Sequence, residues 1–114
     1  MPLQAEDVAA VDRWVEALNA DMPPHVAAQL KYRAEVHRNA ITFFECRTMD
    51  PSSSDTSWFE VPFARLRFTR SQGWQLYWSD RDSKFHVYDL VEPTRQVRRL
   101  LDEIDRDPTC IFFG

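Results

Sequence analysis

Asp82-Ser83-Lys84 is the shortest stretch of this sequence whose residue types could do chemistry. An acid, any residue and a lysine is a spacing used by metal-dependent nucleases, in which carboxylates hold magnesium and the lysine assists a water nucleophile. Asp80 or Glu45 could supply a second carboxylate. A three-residue pattern arises by chance in charged chains, however, and those nucleases set a helix among their strands where this sequence has none. The competing reading is a turn, because Asp and Ser side chains bond their own backbone there. His25, His37 and His86 show no ligand spacing, and no Gly-x-Ser-x-Gly context surrounds a serine. With only Gly73 and Gly114, a Rossmann or P-loop phosphate site is excluded. No catalytic residue, metal or cofactor is assigned.

A second constellation is spread over several strands. Alternation places Lys31, Arg33, Arg65, Arg67, Gln75, Tyr77, His86 and Tyr88 on one sheet face, together with Glu35. One of Phe43 and Phe44 joins them, because adjacent strand residues cannot both face the core. Cations among rings suit single-stranded nucleic acid, which offers phosphates and flat bases. Tyr and Arg are equally the residues of protein interfaces, and long polar side chains also simply cover a solvated sheet. The acidic total weighs against nucleic acid. A solvated face therefore comes first, a protein-partner face second and a single-strand face third.

These residues must be positioned by a small set of elements. Val8, Val11, Val15 and Leu18 recur at helical spacing, with Trp14 beside them, so a helix is expected over residues 5–21, stopped by Pro23-Pro24. The period then falls to two, giving strands over 29–37, 41–47, 61–69, 74–79 and 84–88. In this reading Leu30, Tyr32, Ala34, Val36, Ala64, Leu66, Phe68, Trp74, Leu76, Trp78, Phe85 and Val87 face inward. The serine-rich stretch 48–57 reads as a mobile loop. Helical spacing returns over 94–106 through Val97, Leu100, Leu101 and Ile104, with Thr94 as N-cap. An apolar tail, 109–114, follows Asp107-Pro108. The expectation is a single α+β domain over 1–114: a five-stranded antiparallel meander with both terminal helices on one face, leaving the other face open. The order is similar to the frataxin-like architecture, an analogy of fold alone. Asp12 and Glu16, at i and i+4, could form an iron-holding ridge in such a frame, but a solubilising helix face is by far the better explanation.

Composition sets the outer bounds. The 114 residues are 44% hydrophobic and 28% charged, with a formal net charge of -4. Acids outnumber bases five to one over residues 1–28, whereas residues 29–91 hold nine bases and eight acids. Cys46 and Cys110 are far apart and form no CxxC pair, which suits a reducing cytoplasm. No apolar run approaches membrane-spanning length, and "MPLQAEDVAAVDRW" lacks the pattern of a signal peptide.

The spaced segments "FARLRF", "WQLYWSDRDSKFHVYD" and "DPTCIFFG" resemble a bacterial family known as the domain of unknown function DUF3024, over nearly the whole chain. The resemblance implies a small bacterial protein and carries over no activity and no site residue. The functional expectation is a cytoplasmic, non-catalytic binding or protein-interaction module that uses the open sheet face. Its first-choice partner is an unidentified protein, with single-stranded nucleic acid as the alternative and no membrane. Sequence leaves open the oligomeric state and whether the tail packs on its own chain.

Overall fold

The computed structural model describes residues 3–48 and 58–113. Most of the serine-rich stretch lies outside the described residues. Helix α1 spans Ala5–Ala20 and short helix α2 spans Pro24–Ala27. Five strands follow: β1 (Leu30–His37), β2 (Ala40–Arg47), β3 (Phe59–Thr69), β4 (Gly73–Ser79) and β5 (Phe85–Val87), then helix α3 (Val97–Arg106). The strands form one antiparallel sheet in the order β1-β2-β3-β4-β5. This is the α+β meander expected from the alternating patterns, with one helix at each end of the chain.

One apolar face organises the domain. Val11, Trp14 and Val15 of α1 meet Val97, Leu100, Leu101 and Ile104 of α3 over Ile41, Phe43, Leu66, Trp74 and Leu76 of the sheet. Trp14 is buried, packed edge-on against Phe43 with ring centroids 5.2 Å apart. A buried indole also has to satisfy its N–H. Trp14 Nε1 donates to Asp105 Oδ2 at 3.0 Å, and Trp74 Nε1 donates to Asp7 Oδ2 at 3.0 Å. The two bonds tie helix to helix and helix to sheet at the rim of the core.

The structure departs from the sequence reading at α2, at the start of α3 and in β5, and β3 begins earlier, at Phe59. Pro23-Pro24 ends α1 but also starts α2, because proline at the first position of a helix lacks only a donor that would have no partner there. Helix α3 begins at Val97 rather than Thr94. The backbone of Thr94 is occupied instead by a bridge to β4: Trp74 N donates to Thr94 O at 2.7 Å and Thr94 N to Trp74 O at 3.0 Å. Strand β5 is shorter than expected and shows its opposite face. Val87 stands across from Tyr77, His86 from Trp78 and Phe85 from Ser79. Phe85 and Val87 therefore lie on the open face, and His86 and Tyr88 on the helix-covered one.

Both edges of the sheet are managed. The outer edge of β4 is paired by β5 and then by Thr94. That close approach requires glycine at position 73, where φ is +83° and a Cβ would stand 2.8 Å from the Thr94 carbonyl oxygen. On β1, the Asn19 side chain imitates a neighbouring strand. Its Oδ1 accepts from Tyr32 N at 2.8 Å and its Nδ2 donates to Tyr32 O at 2.9 Å.

The tail packs on its own chain. Asp107 adopts a left-handed conformation (φ 42°), and its carboxylate accepts the backbone N–H of Phe112 at 3.0 Å and of Phe113 at 2.8 Å. Phe112 is buried against Tyr88, with ring centroids 5.1 Å apart. Phe113 lies 5.4 Å from Phe63 and 5.9 Å from Tyr32. The chain end thus closes the core across α3, β1 and β3.

Two outcomes follow for stability. Gly73→Ala should cost about 2 kcal/mol or more in urea denaturation, since it adds left-handed strain to a collision with Thr94. A loss below about 0.5 kcal/mol, the range of an ordinary surface change, would show that the Thr94 bridge does not need glycine. Phe112→Ala should cost about 3 kcal/mol or more, the usual range for emptying a phenylalanine site in a core. A chain lacking residues 111–114 that melts like the full-length protein would refute the closing role of the tail.

Candidate functional site on the open sheet face

The sheet register builds the open face row by row. Glu35, Thr42, Arg65, Tyr77 and Val87 stand side by side across all five strands. His37, Ala40, Arg67 and Gln75 form the next row towards the β1–β2 turn. Arg33 and Phe44 form a row on the other side, and Lys31, Cys46 and Glu60 the row beyond it. A register shift between Phe43 and Phe44 leaves Phe63 as an extra residue in β3. Phe63 and Ala64 are consequently both buried, Phe43 faces the core, and Phe44 takes the open face. The choice that alternation left open between Phe43 and Phe44 is settled by the β1–β2 register, which sets Phe43 opposite Ala34 and Phe44 opposite Arg33.

Cations on this face meet contrasting surroundings. The Arg33 guanidinium lies 4.5 Å over the Phe44 ring, and Arg33 Nε donates to Glu60 Oε1 at 2.9 Å. Its Nη2 also reaches Glu60, and it donates to Glu35 Oε2 at 3.2 Å. Glu60 raises the Arg33 pKa through this bonding, and Arg33 in turn holds the Glu60 carboxyl below its ordinary value. Lys31 Nζ sits 4.4 Å over the Trp58 ring. Cys46, in the same row, is buried; burial, and then the charge of Glu60, pushes its thiol pKa up. This half of the face is internally neutralised.

The other half is not. Arg65 Nε donates to Thr42 Oγ1 at 2.9 Å, and its guanidinium lies 3.9 Å over the Phe85 ring. Neither Arg65 nor Arg67 has a carboxylate partner among the described residues. Both line a concavity of 420 Å³ with Arg38, the half-buried Tyr77, Phe85 and Thr42, and among the described residues no Asp or Glu contributes to its wall. Arg38 enters from the β1–β2 turn with φ 55°.

Six of the eight residues assigned to this face by alternation are on it: Lys31, Arg33, Arg65, Arg67, Gln75 and Tyr77. Gln75 is partly engaged, its Nε2 donating to Leu76 O at 3.3 Å and Tyr88 O at 3.5 Å. His86 and Tyr88 are corrected to the opposite face. His86 stacks on Trp78 with centroids 4.6 Å apart, and its Nε2 is 2.7 Å from Asp80 Oδ2. Tyr88 is buried, and its hydroxyl donates to Glu103 Oε2 at 2.7 Å. Burial, then the Glu103 carboxylate, pushes the Tyr88 pKa up to about 12. Burial works against the charge on Glu103, but bonds from Arg106 and Tyr88 outweigh it and hold its carboxyl below the ordinary value. Phe85 was missed on the open face because "KFHVY" alternates equally well in either parity. Arg38 was missed because turn residues carry no alternation.

Asp82, Ser83 and Lys84 are turn residues. Asp80 Oδ1 accepts the backbone N–H of Asp82 at 2.9 Å and of Lys84 at 3.0 Å, while Ser83 is left-handed at φ 63°. The His86 bond, then that of the Lys84 N–H, holds the Asp80 carboxyl below its ordinary value. Glu45 is ion-paired to Arg47, two strands from β4. Among the described residues no group of three or more His, Cys, Asp and Glu side chains gathers at a metal-binding distance. Asp12 and Glu16 are solvent-exposed on α1, and His25 and His37 are exposed as well.

No described helix is long and apolar enough to cross a membrane. No curated protein and no solved structure matches the chain. A family model matches residues 1–114, the whole of the given sequence: the chain belongs to the family described as "Domain of unknown function (DUF3024)".

Proposed function

We propose that the protein is a non-catalytic binding module of the bacterial cytoplasm, and that it docks a negatively charged partner on the open face of its sheet. One observation carries this reading: among the described residues, the concavity at the β1–β2 turn is walled by Arg38, Arg65 and Arg67 and by no carboxylate. A protein of net charge -4 that keeps three arginines together without an acid offers a local attraction opposed to its overall field. Arg33 supports the contrast, since Glu35 and Glu60 surround it on the same face. Tyr88 and Glu103, on the covered face, bond each other inside the fold, which supports a structural duty there. Two free cysteines, one of them buried, fit a reducing compartment.

The full-length protein should be retained on an immobilised polyanion at low salt and released as ionic strength rises. Arg65→Ala combined with Arg67→Ala should elute at clearly lower salt. Arg98→Ala, an exposed residue of α3 on the helix layer, should elute close to the parent. Elution of the double variant together with the parent protein would remove the open face as the docking surface.

A further inference from the structure

We propose that the concavity beside Arg65 is a phosphoryl site, taking a phosphate monoester or pyrophosphate group carried on a small molecule. The inference rests on the anionic docking proposed above and names the anion.

The arrangement around Arg65 is the first reason. Its Nε is held by Thr42 Oγ1 at 2.9 Å and its plane lies 3.9 Å over Phe85. Both contacts restrict the guanidinium while leaving its two terminal nitrogens with no acceptor among the described residues. A fork held in place in this way loses little freedom on receiving an oxyanion through two parallel N–H···O bonds. Arg33 has the same ring support from Phe44, but Glu60 and Glu35 already occupy its fork. Of the two supported arginines on this face, Arg65 is therefore the one with donors to offer.

Charge and extent identify the class. Arg67 follows Arg65 by two residues on the same strand face, about 7 Å along β3, and Arg38 closes the wall from the turn. Three cations with no acid suit a group that presents three oxygens and carries about -1.5 to -2 charge, as a phosphate monoester does. A carboxylate offers two oxygens and one charge. The volume of 420 Å³ suits a small molecule. It does not continue as a cationic track: towards Arg33 the face carries Glu35 and Glu60. A phosphodiester strand lying across the sheet would meet those carboxylates, whereas a compact ligand would not. Tyr77, directly opposite Arg65 in the register, places a ring beside the phosphoryl position for a flat substituent.

The test is a titration of the full-length protein, followed by calorimetry and by the Arg65 Nε–H resonance, with four probes. These are inorganic pyrophosphate, adenosine 5'-monophosphate, a single-stranded oligonucleotide without terminal phosphates, and an oligo-glutamate peptide. Pyrophosphate and the nucleotide should saturate and shift the Arg65 resonance. Arg65→Ala should weaken both by about tenfold or more, the range for losing charged hydrogen bonds. Arg65→Lys, which keeps the charge but not the fork, should weaken them substantially. Arg67→Ala, at an exposed position, serves where loss of the Phe85 contact unfolds the Arg65 variants, and it should weaken both ligands too. Saturation by the oligonucleotide or the acidic peptide alone overturns the phosphoryl assignment and leaves anionic docking standing. No response to any of the four probes overturns both. Binding of pyrophosphate that is unchanged in Arg65→Lys and Arg67→Ala also overturns the site.

Discussion

The hydrogen bond from Tyr88 to Glu103 decides which side of β5 faces the helices, and the open face inherits its composition from that decision. A hydroxyl and a carboxylate taken out of water together must find partners, and each would cost about 1–3 kcal/mol or more if left unpaired. Tyr88 is within 2.7 Å of Glu103, which Arg106 also engages. With Tyr88 turned inward, the period of two sends His86 onto Trp78 and pushes Phe85 outward. Phe85 then becomes the surface on which the Arg65 guanidinium rests. A polar bond on the covered face thus supplies the ring that holds an arginine on the open one.

The two halves of the open face show how similar residues acquire different chemistry. Arg33 stacks its guanidinium on Phe44 of the neighbouring strand, and Arg65 stacks its own on Phe85, two strands away. Glu60 and Glu35 complete one pair and no acid completes the other. Exposed ion pairs contribute little to stability, but they decide where unneutralised charge remains. The result is a face with a neutral half around Arg33 and a cationic half around Arg65, within a chain whose ends are acidic.

The core depends on polar groups at its margins as much as on its apolar interior. The indoles of Trp14 and Trp74 are each satisfied by a carboxylate from a helix. Asn19 occupies the outer edge of β1, and Thr94 the last part of the edge of β4. Asp107 folds the chain end back by accepting two consecutive backbone N–H groups. The two indole bonds connect elements distant in sequence, and Cys46 and Cys110 are both free thiols.

Periodicity by itself determined the element types, their order, the meander, and the faces of β1, β3 and β4, because hydrophobic spacing in those segments fits only one parity. It also put Arg33, Arg65, Arg67 and Tyr77 on one surface before any packing was known. Three features were decided by tertiary structure alone. Pairing with β1 chose between Phe43 and Phe44, since it sets Phe43 opposite Ala34 and Phe44 opposite Arg33, a register that β2 does not encode locally. The parity of β5 followed from Glu103, fifteen residues beyond Tyr88, because "KFHVY" presents a ring and a second large side chain on either face. Which arginine was left without an acidic partner was set by Glu60 lying across β2 from Arg33, a neighbourhood that exists only once three strands are paired.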